Sequence, residues 1–204
     1  MKKTTRNLSL MLALTVAGCL GVFAASAEIG KAAPDFTLTD IQGKSISLSD
    51  YRGKTVVLEW VNPECPFVVK HYESGNIPSL QKNAAAEDVV WITINSARPG
   101  AQGDYDASQV AAWSQKNGAA PASYCRDSDG KVGRLYGAKT TPHMYVISAD
   151  GTLAYDGAID SIRSAKQADI AKATNYVTAA LDALTAGKPV EKSTSEPYGC
   201  GVKY

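Results

Sequence analysis

Apolar and polar residues alternate along the chain in segments typical of β-strands, separated by segments with helical spacing. Residues 54–61 and 89–95 are near-continuous apolar runs, which indicates strands buried on both faces of a sheet. Upstream of them, the alternation in residues 36–39 and 45–48 predicts a hairpin about a turn at residues 41–44. Buried strands interleaved with helices indicate an α/β fold with a mixed central β-sheet flanked by helices.

Turn and cap residues divide the rest of the chain into further elements. Pro66 at a first helical turn starts a helix that breaks near Gly75, and Asp106 or Ser108 caps a later helix that ends at Gly118. The other predicted elements are helical segments at residues 78–86 and 132–136, strands at residues 122–125, 144–148 and 153–156, a longest helix at residues 165–185 and an extended tail at residues 186–204.

The N-terminus has the composition of a secretory signal peptide. Three basic residues precede an apolar run over residues 8–23, and Ala25-Ser26-Ala27 provides a cleavage site of small residues. We therefore predict a signal peptide over residues 1–27 and an exported chain in the periplasm or cell envelope. Cys19 follows Val16-Ala17-Gly18 in a pattern similar to a bacterial lipobox, so a lipid-anchored form is the alternative. Simple secretion is favoured because the apolar run continues beyond Cys19.

Charge and hydropathy exclude two classes of partner. Of the 21 basic and 20 acidic residues, three basic and no acidic ones lie in residues 1–27, which leaves a mature net charge of −2. This balance gives no basic patch for nucleic acid. Beyond the leader, no stretch reaches the roughly 18 apolar residues of a membrane-spanning helix. We therefore expect no nucleic acid partner, and no membrane contact unless Cys19 carries a lipid.

Cys65 is the first candidate for chemistry. It follows a buried strand and precedes Pro66 at the expected start of a helix. The free amide groups and the positive end of the dipole at a helix N-terminus favour a thiolate, which is the nucleophilic form of cysteine. The alternative is a small buried apolar residue, the usual environment of a free cysteine. Its position at a strand-to-helix junction favours the reactive thiol.

Four stretches of sequence resemble motifs of the thioredoxin superfamily, and in particular of its redoxin branch, the alkyl hydroperoxide reductase/thiol-specific antioxidant (AhpC/TSA) family. They are residues 29–36, residues 60–65, the Thr141-Pro142 pair and residues 151–153. The resemblance runs over nearly all of residues 28–204. It implies a thioredoxin-like redoxin domain over residues 28–185, followed by a C-terminal tail at residues 186–204 that carries Cys200.

The chain departs from both well-known patterns of the superfamily at one position. Thioredoxins carry the second cysteine of Cys-x-x-Cys, and peroxiredoxins their peroxidatic cysteine, where this chain has Val68; Cys65 stands where peroxiredoxins have a threonine. The chain therefore resembles a peroxiredoxin-like subgroup that keeps only the first thioredoxin cysteine. The missing Pro-Thr-Cys arrangement argues against ordinary peroxidase chemistry.

The Thr141-Pro142 pair, which lies just before an apolar strand, matches the cis-proline of the superfamily. The match implies that Pro142 packs against Cys65 and that the backbone of Thr141 pairs with an extended substrate.

Two cysteines compete to be the partner of Cys65, because Val68 removes the internal one. Cys200 is favoured as the resolving cysteine, since flanking glycines make its sulfur flexible and able to travel to Cys65. Cys125 is the competitor, although a buried structural role suits it better. With Cys19 set aside, three cysteines in an oxidising compartment form at most one internal disulfide and leave one thiol over.

Other polar residues near the motif are weaker candidates for a role at the Cys65 site. His71 and His143 invite a metal site with Cys65, but one thiolate and one imidazole make a poor site, so we expect no metal and no other cofactor. His71, six residues after Cys65, should point away from it. His143 or Arg98 is a candidate to tune the thiolate. Glu64 is either a proton acceptor or a carboxylate favoured by the helix dipole, and the second is preferred.

These features predict an exported thiol-disulfide oxidoreductase that uses Cys65 as nucleophile, is resolved by Cys200 and docks its partner at Thr141-Pro142. Its partners would be a protein dithiol or disulfide and an external thiol reductant. One alternative is a peroxiredoxin-like thiol peroxidase that takes a hydroperoxide as substrate. The other is a non-catalytic binding module in which Cys65 belongs to a structural disulfide with Cys200 or helps hold a metal.

Overall fold

A computed structural model describes residues 26–204. Residues 1–25, which hold Cys19 and nearly all of the predicted signal peptide at residues 1–27, lie outside this range. Among the helices at residues 26–204, none combines the length and the apolar character needed to cross a membrane.

The central sheet is mixed, as the sequence predicts. The chain forms the strands β1 (Thr37–Asp40), β2 (Ser45–Ser47), β3 (Val56–Trp60), β4 (Val90–Asn95), β5 (Ser123–Arg126), β6 (Thr140–Thr141), β7 (His143–Ile147), β8 (Leu153–Gly157) and β9 (Cys200–Gly201). Seven of them build one sheet in the order β2-β1-β5-β4-β3-β7-β8, and β6 pairs with β9 separately. In the sheet, β3 lies between β4, to which it is parallel, and β7, to which it is antiparallel. The predicted hairpin is the antiparallel pair β1 and β2.

Within the described residues, five α-helices flank the sheet: α1 (Pro66–Glu73), α2 (Asn76–Ala86), α3 (Ala107–Asn117), α4 (Lys131–Tyr136) and α5 (Tyr176–Thr185). The break between α1 and α2 falls at Gly75, whose φ of 75° suits a residue without a side chain. Asp106 caps α3 by accepting a hydrogen bond from the Gln109 amide at 2.8 Å. These local signals are the ones that the sequence predicts.

Alternate residues of β3 enter two separate apolar cores, one on each face of the sheet. Val57 belongs to the core that contains Cys65 and is covered by α5. Val56, Leu58 and Trp60 belong to the opposite core. All five residues of β3 are buried, which confirms the prediction of a strand covered on both faces.

The prediction of one long helix over residues 165–185 is wrong. Gln167–Lys172 forms a short 3-10 helix, Ala173 is extended, and α5 starts only after Asn175. The Asn175 side chain accepts a hydrogen bond from the Thr178 amide at 3.0 Å. Asparagine satisfies the free amides of a helix start better than it serves inside a helix, so this residue begins a new helix.

Candidate active site

Cys65 lies between the end of β3 and the start of α1, as the sequence predicts. It is the N-cap residue of α1, with extended backbone angles, and its carbonyl accepts hydrogen bonds from the Val68 and Val69 amides at 2.9 and 2.8 Å. Pro66 occupies the first turn of the helix. The side chain of Cys65 is fully buried, with an exposed fraction of 0%.

The Thr141-Pro142 segment covers the Cys65 thiol. The peptide bond of this pair is cis, and the Cys65 thiol donates a hydrogen bond to the Thr141 carbonyl oxygen at 2.9 Å. Thr141 also forms part of β6, which pairs antiparallel with β9 so that Thr141 lies opposite Cys200. The backbone next to the cis-proline is therefore already paired with a strand from the C-terminal tail.

The structure brings Cys200 into contact with Cys65. Cys200 packs against the apolar core that contains Cys65, and the two cysteines are close enough for each to shift the pKa of the other. Both cysteines have free thiols in this structure. The four residues predicted for the site, Cys65, Thr141, Pro142 and Cys200, thus lie together. Cys200 reaches Cys65 as part of a paired strand and not, as predicted, as a flexible side chain that must travel.

The two thiols differ in acidity because their surroundings differ. Burial raises the pKa of the Cys65 thiol, but hydrogen bonds from Cys200, Thr141 and the Val68 amide outweigh burial and hold this pKa below its usual value. Burial and the hydrogen bond with Cys65 raise the pKa of Cys200 to about 11. Near neutral pH, Cys65 is therefore the thiol that more readily becomes the nucleophilic thiolate.

Cys125, the competitor for Cys65, lies on the other side of the sheet. It is buried on β5 within the core opposite to the one that holds Cys65. Burial and the nearby Asp40 carboxylate raise the pKa of Cys125 to about 12. A cysteine that is buried among apolar residues and kept protonated has the environment of a structural residue.

The remaining candidates contact other groups. His143 pairs through Nε2 with the Asp156 carboxylate at 2.7 Å, and Arg98 donates a hydrogen bond to the Tyr204 carbonyl oxygen at 3.2 Å. His71 points into the protein, where its Nε2 lies 3.6 Å from Asp160. Within residues 26–204 there is no group of three or more His, Cys, Asp or Glu residues that could hold a metal ion.

The site also has a buried charged cluster beside it that the sequence does not predict. Lys70 of α1 is buried, and its ammonium group lies 3.4 Å from the Asp160 carboxylate and 3.0 Å from the Ser164 carbonyl oxygen. The Tyr198 hydroxyl donates a hydrogen bond to the same carboxylate. This cluster ties the helix that starts at Cys65 to the tail two residues before Cys200. Its members are far apart in the sequence, so periodicity gives no sign of it.

Glu59 of β3 is a second buried group that the sequence analysis did not predict, although a charged residue in an apolar strand is a signal for it. It is the single charged residue within the strand Val56–Trp60 and it has no exposed surface. Its carboxylate accepts hydrogen bonds from four side chains, those of Tyr72, Gln81, Trp91 and Thr93. A charge in an otherwise apolar buried strand predicts such a set of donors, because a buried carboxylate must be hydrogen bonded.

Comparison with known proteins identifies the family. The sequence pattern of the AhpC/TSA family matches residues 29–156. The chain belongs to the AhpC/TSA family. This result confirms the resemblance seen in the four motifs.

Relatives of this AhpC/TSA-family chain include proteins of known name and solved structures. It is 28% identical over 131 residues to the thiol-disulfide oxidoreductase ResA of Bacillus thuringiensis subsp. konkukian; the match covers 61% of this chain and 66% of the relative. A hypothetical protein from Sinorhizobium meliloti has a TM-score of 0.73 and 26% identity, with 88% of this chain and 96% of the other covered.

A third comparison concerns the fold. The structure of a putative thiol:disulfide interchange protein DsbE from Chlorobium tepidum has a TM-score of 0.52 and 24% identity, with 64% of this chain and 85% of the other covered. This similarity and the mixed sheet flanked by helices confirm the predicted thioredoxin-like fold.

Proposed function

We propose that this protein is a thiol-disulfide oxidoreductase in which Cys65 is the nucleophile and Cys200 the resolving cysteine. The observation that carries the proposal is the contact of the two thiols beside the cis Thr141-Pro142 bond. The lowered pKa of Cys65, in which hydrogen bonds outweigh burial, suits it for attack on a disulfide. The name of the ResA relative supports the same class of reaction.

The proposed reaction transfers two electrons to a partner disulfide. The Cys65 thiolate attacks one partner sulfur, the partner S–S bond breaks, and the second partner sulfur leaves as a thiolate that takes up a proton. Cys200 then loses its proton and attacks the Cys65 sulfur of the mixed disulfide, which releases the first partner sulfur as a thiol. The partner disulfide becomes a dithiol, and the protein gains a Cys65–Cys200 disulfide that an external thiol reductant must reduce.

We also propose that the protein acts outside the cytoplasm, because the leader at residues 1–27 has the composition of a signal peptide. Within the family, the presence of Cys65 and the absence of a cysteine at Val68 favour a peroxiredoxin-like subgroup that retains only the first thioredoxin cysteine.

The test is reduction of a protein disulfide such as that of insulin, with dithiothreitol as the electron source. We expect the wild-type protein to accelerate this reduction and Cys65→Ser to abolish the acceleration. Cys200→Ser should accumulate a mixed disulfide with the substrate. Cys125→Ala is the matched control and should retain the activity, because Cys125 lies in the opposite core. Undiminished activity of Cys65→Ser would reject the proposal. A Cys65–Cys200 disulfide that stays oxidised at potentials down to about −300 mV would also reject the proposal, since such a low potential is typical of a structural disulfide.

A second candidate function is thiol peroxidase activity, which membership of the AhpC/TSA family favours. The Cys65 thiolate would attack a hydroperoxide oxygen, release water or an alcohol and become a sulfenic acid, on which Cys200 would condense with loss of water. Peroxide consumption by the wild-type protein, absent from Cys65→Ser, would support this function.

A further inference from the structure

The proposed nucleophile is closed off from protein partners in this structure. Cys65 has no exposed surface, although exchange requires its sulfur to meet a partner sulfur directly. Part of its cover is the tail: Cys200 lies against the Cys65 sulfur, and β9 occupies the backbone of Thr140–Thr141. The Thr141 backbone is also the position at which the resemblance to the thioredoxin superfamily implies that an extended partner pairs. Tail and partner therefore cannot be bound there together.

The tail fits this edge through one particular glycine. Gly199 has a φ of 142°, a conformation that residues with side chains rarely adopt. A Cβ atom at Gly199 would overlap the carbonyl oxygen of Thr141 and lie 2.8 Å from its carbonyl carbon. These are main-chain atoms that cannot turn aside. Gly201, on the other side of Cys200, has no such requirement, because a Cβ there would meet only the Lys139 carbonyl oxygen at 4.0 Å.

Two anchors hold the tail in place on either side of Cys200. On the N-terminal side, the buried Tyr198 hydroxyl bonds to Asp160 in the cluster with Lys70. On the C-terminal side, the Val202 amide donates to the Lys139 carbonyl oxygen at 3.1 Å, and the Tyr204 hydroxyl donates to the Ala138 carbonyl oxygen at 2.8 Å. The tail is thus a docked strand and not a loose end.

We propose that residues 198–201 are a built-in mimic of the partner segment, which a partner must displace before it reacts at Cys65. This inference rests on the proposed function. A partner segment that pairs with Thr141 along the path of the tail, with its sulfur placed on Cys65, needs glycine immediately before its cysteine. The substrate class is therefore a protein whose reactive cysteine lies in an extended segment and follows a glycine.

Strand exchange then accompanies thiol exchange. The partner strand replaces β9 while the Cys65 thiolate forms the mixed disulfide and the second partner sulfur leaves. Return of the tail places Cys200 on the Cys65 sulfur, and its attack breaks the mixed disulfide and expels the partner as a dithiol. The tail supplies both the resolving thiol and the strand that displaces the product.

The first test compares two glycine-to-alanine variants that flank the same cysteine. In full-length Cys200→Ser protein, the rate of Cys65 alkylation by iodoacetamide is measured by mass spectrometry of the Cys65 peptide, at a pH high enough that thiolate formation does not limit the rate. We expect Gly199→Ala to raise this rate by about tenfold or more, because a weakened strand opens more often. Gly201→Ala should leave the rate close to that of the parent. Equal rates in all three proteins, or an equal rise in both variants, would overturn the proposal.

The second test measures the requirement for glycine. Two peptides, glycine-cysteine-glycine and alanine-cysteine-glycine, carry the cysteine as a mixed disulfide with 2-thiopyridine, and release of thiopyridone reports attack by Cys65 on the peptide sulfur. With the Gly199→Ala/Cys200→Ser protein, we expect the glycine peptide to react about tenfold faster, since only it avoids the Thr141 carbonyl. Equal rates would overturn the proposal. Alkylation needs no disulfide substrate, so the two proposals can fail separately. If the first test gives the expected rates but the protein does not reduce insulin, the proposed function is rejected, whereas the cover of Cys65 by the tail is retained.

Discussion

The acidity of Cys65 depends on a residue that lies far from it in the sequence. Burial alone raises the pKa of this thiol, and the interaction with the Cys200 thiol is the largest effect that lowers it. We predict that Cys200→Ala raises the pKa of Cys65, because the alanine removes that interaction and leaves burial in place. The measurement is the pH dependence of Cys65 alkylation, read from its own peptide. Cys125→Ala should leave the midpoint unchanged, and an unchanged midpoint in Cys200→Ala would contradict the prediction.

The buried Glu59 affects how the stability of the fold depends on pH. Burial raises its pKa to about 7, although hydrogen bonds from Trp91, Tyr72, Thr93 and Gln81 oppose this rise. Between the unfolded value near 4.5 and 7, the folded protein keeps a proton that the unfolded chain releases. The resulting stabilisation is complete below the unfolded pKa and is lost as the pH rises through 7.

We therefore predict that Glu59→Gln reduces the loss of stability between pH 5 and pH 8 by up to roughly 3 kcal/mol. The amide keeps an oxygen that accepts hydrogen bonds and has no proton to lose, so the pH-dependent contribution disappears. Urea unfolding of wild type and variant at the two pH values measures the difference, and all other titrating groups contribute equally to both proteins. The same pH dependence in the two proteins would show that Glu59 is not the group responsible.

The position of the strand β9 depends on its two tyrosine anchors, Tyr198 and Tyr204. The Tyr198 hydroxyl bonds to the buried Asp160 carboxylate, whereas the Tyr204 hydroxyl bonds to a neutral carbonyl. A hydrogen bond to a charged group contributes about 1.5–3 kcal/mol and one between neutral groups about 1 kcal/mol. We predict that Tyr198→Phe makes the Cys65–Cys200 disulfide easier to reduce by at least about tenfold in its glutathione equilibrium, and that Tyr204→Phe has a smaller effect.

A glutathione titration with peptide mass spectrometry measures both variants. The stability of each reduced protein to urea is measured as well. If Tyr198 has a purely structural role, Tyr198→Phe would lower this stability without changing the disulfide equilibrium. Equal glutathione equilibrium constants for the disulfide in the two variants would contradict the prediction that Tyr198 is the stronger anchor.

The elements that the sequence predicts are those with local signals. Pro66, Gly75 and Asp106 each fix a helix boundary through their own backbone or side chain, and the apolar run at residues 54–61 contains β3. The structure of the tail could not be predicted in this way, because β9 is two residues long and exists only through pairing with Thr140–Thr141. The motif identified Cys65, but Cys200 is held by pairing with Thr141, which lies 59 positions earlier in the sequence, and no periodicity predicts this pairing.

The docked tail affects the reduction potential of the proposed Cys65–Cys200 disulfide, and with it the direction of electron transfer. In the folded protein, closing the proposed Cys65–Cys200 disulfide would order little further chain, because the strand that carries Cys200 is already paired next to Cys65. In the unfolded chain the same bond closes a loop between residues 135 positions apart. The loss of chain entropy for a loop of that length is worth up to about 5 kcal/mol, and it makes the folded disulfide correspondingly harder to reduce.

We therefore predict that the oxidised protein withstands more urea than the reduced protein, and that Cys200→Ala shows no such difference between oxidising and reducing buffers. By linkage, a stabilisation of about 5 kcal/mol lowers the two-electron reduction potential of this disulfide by roughly 100 mV relative to the same disulfide in the unfolded chain. The lowered pKa of Cys65 opposes this effect by favouring the reduced form. If docking of the tail prevails, the reduced protein donates electrons to partner disulfides. An oxidised form less stable than the reduced form would mean that thiolate stabilisation prevails and that the protein works as an oxidant.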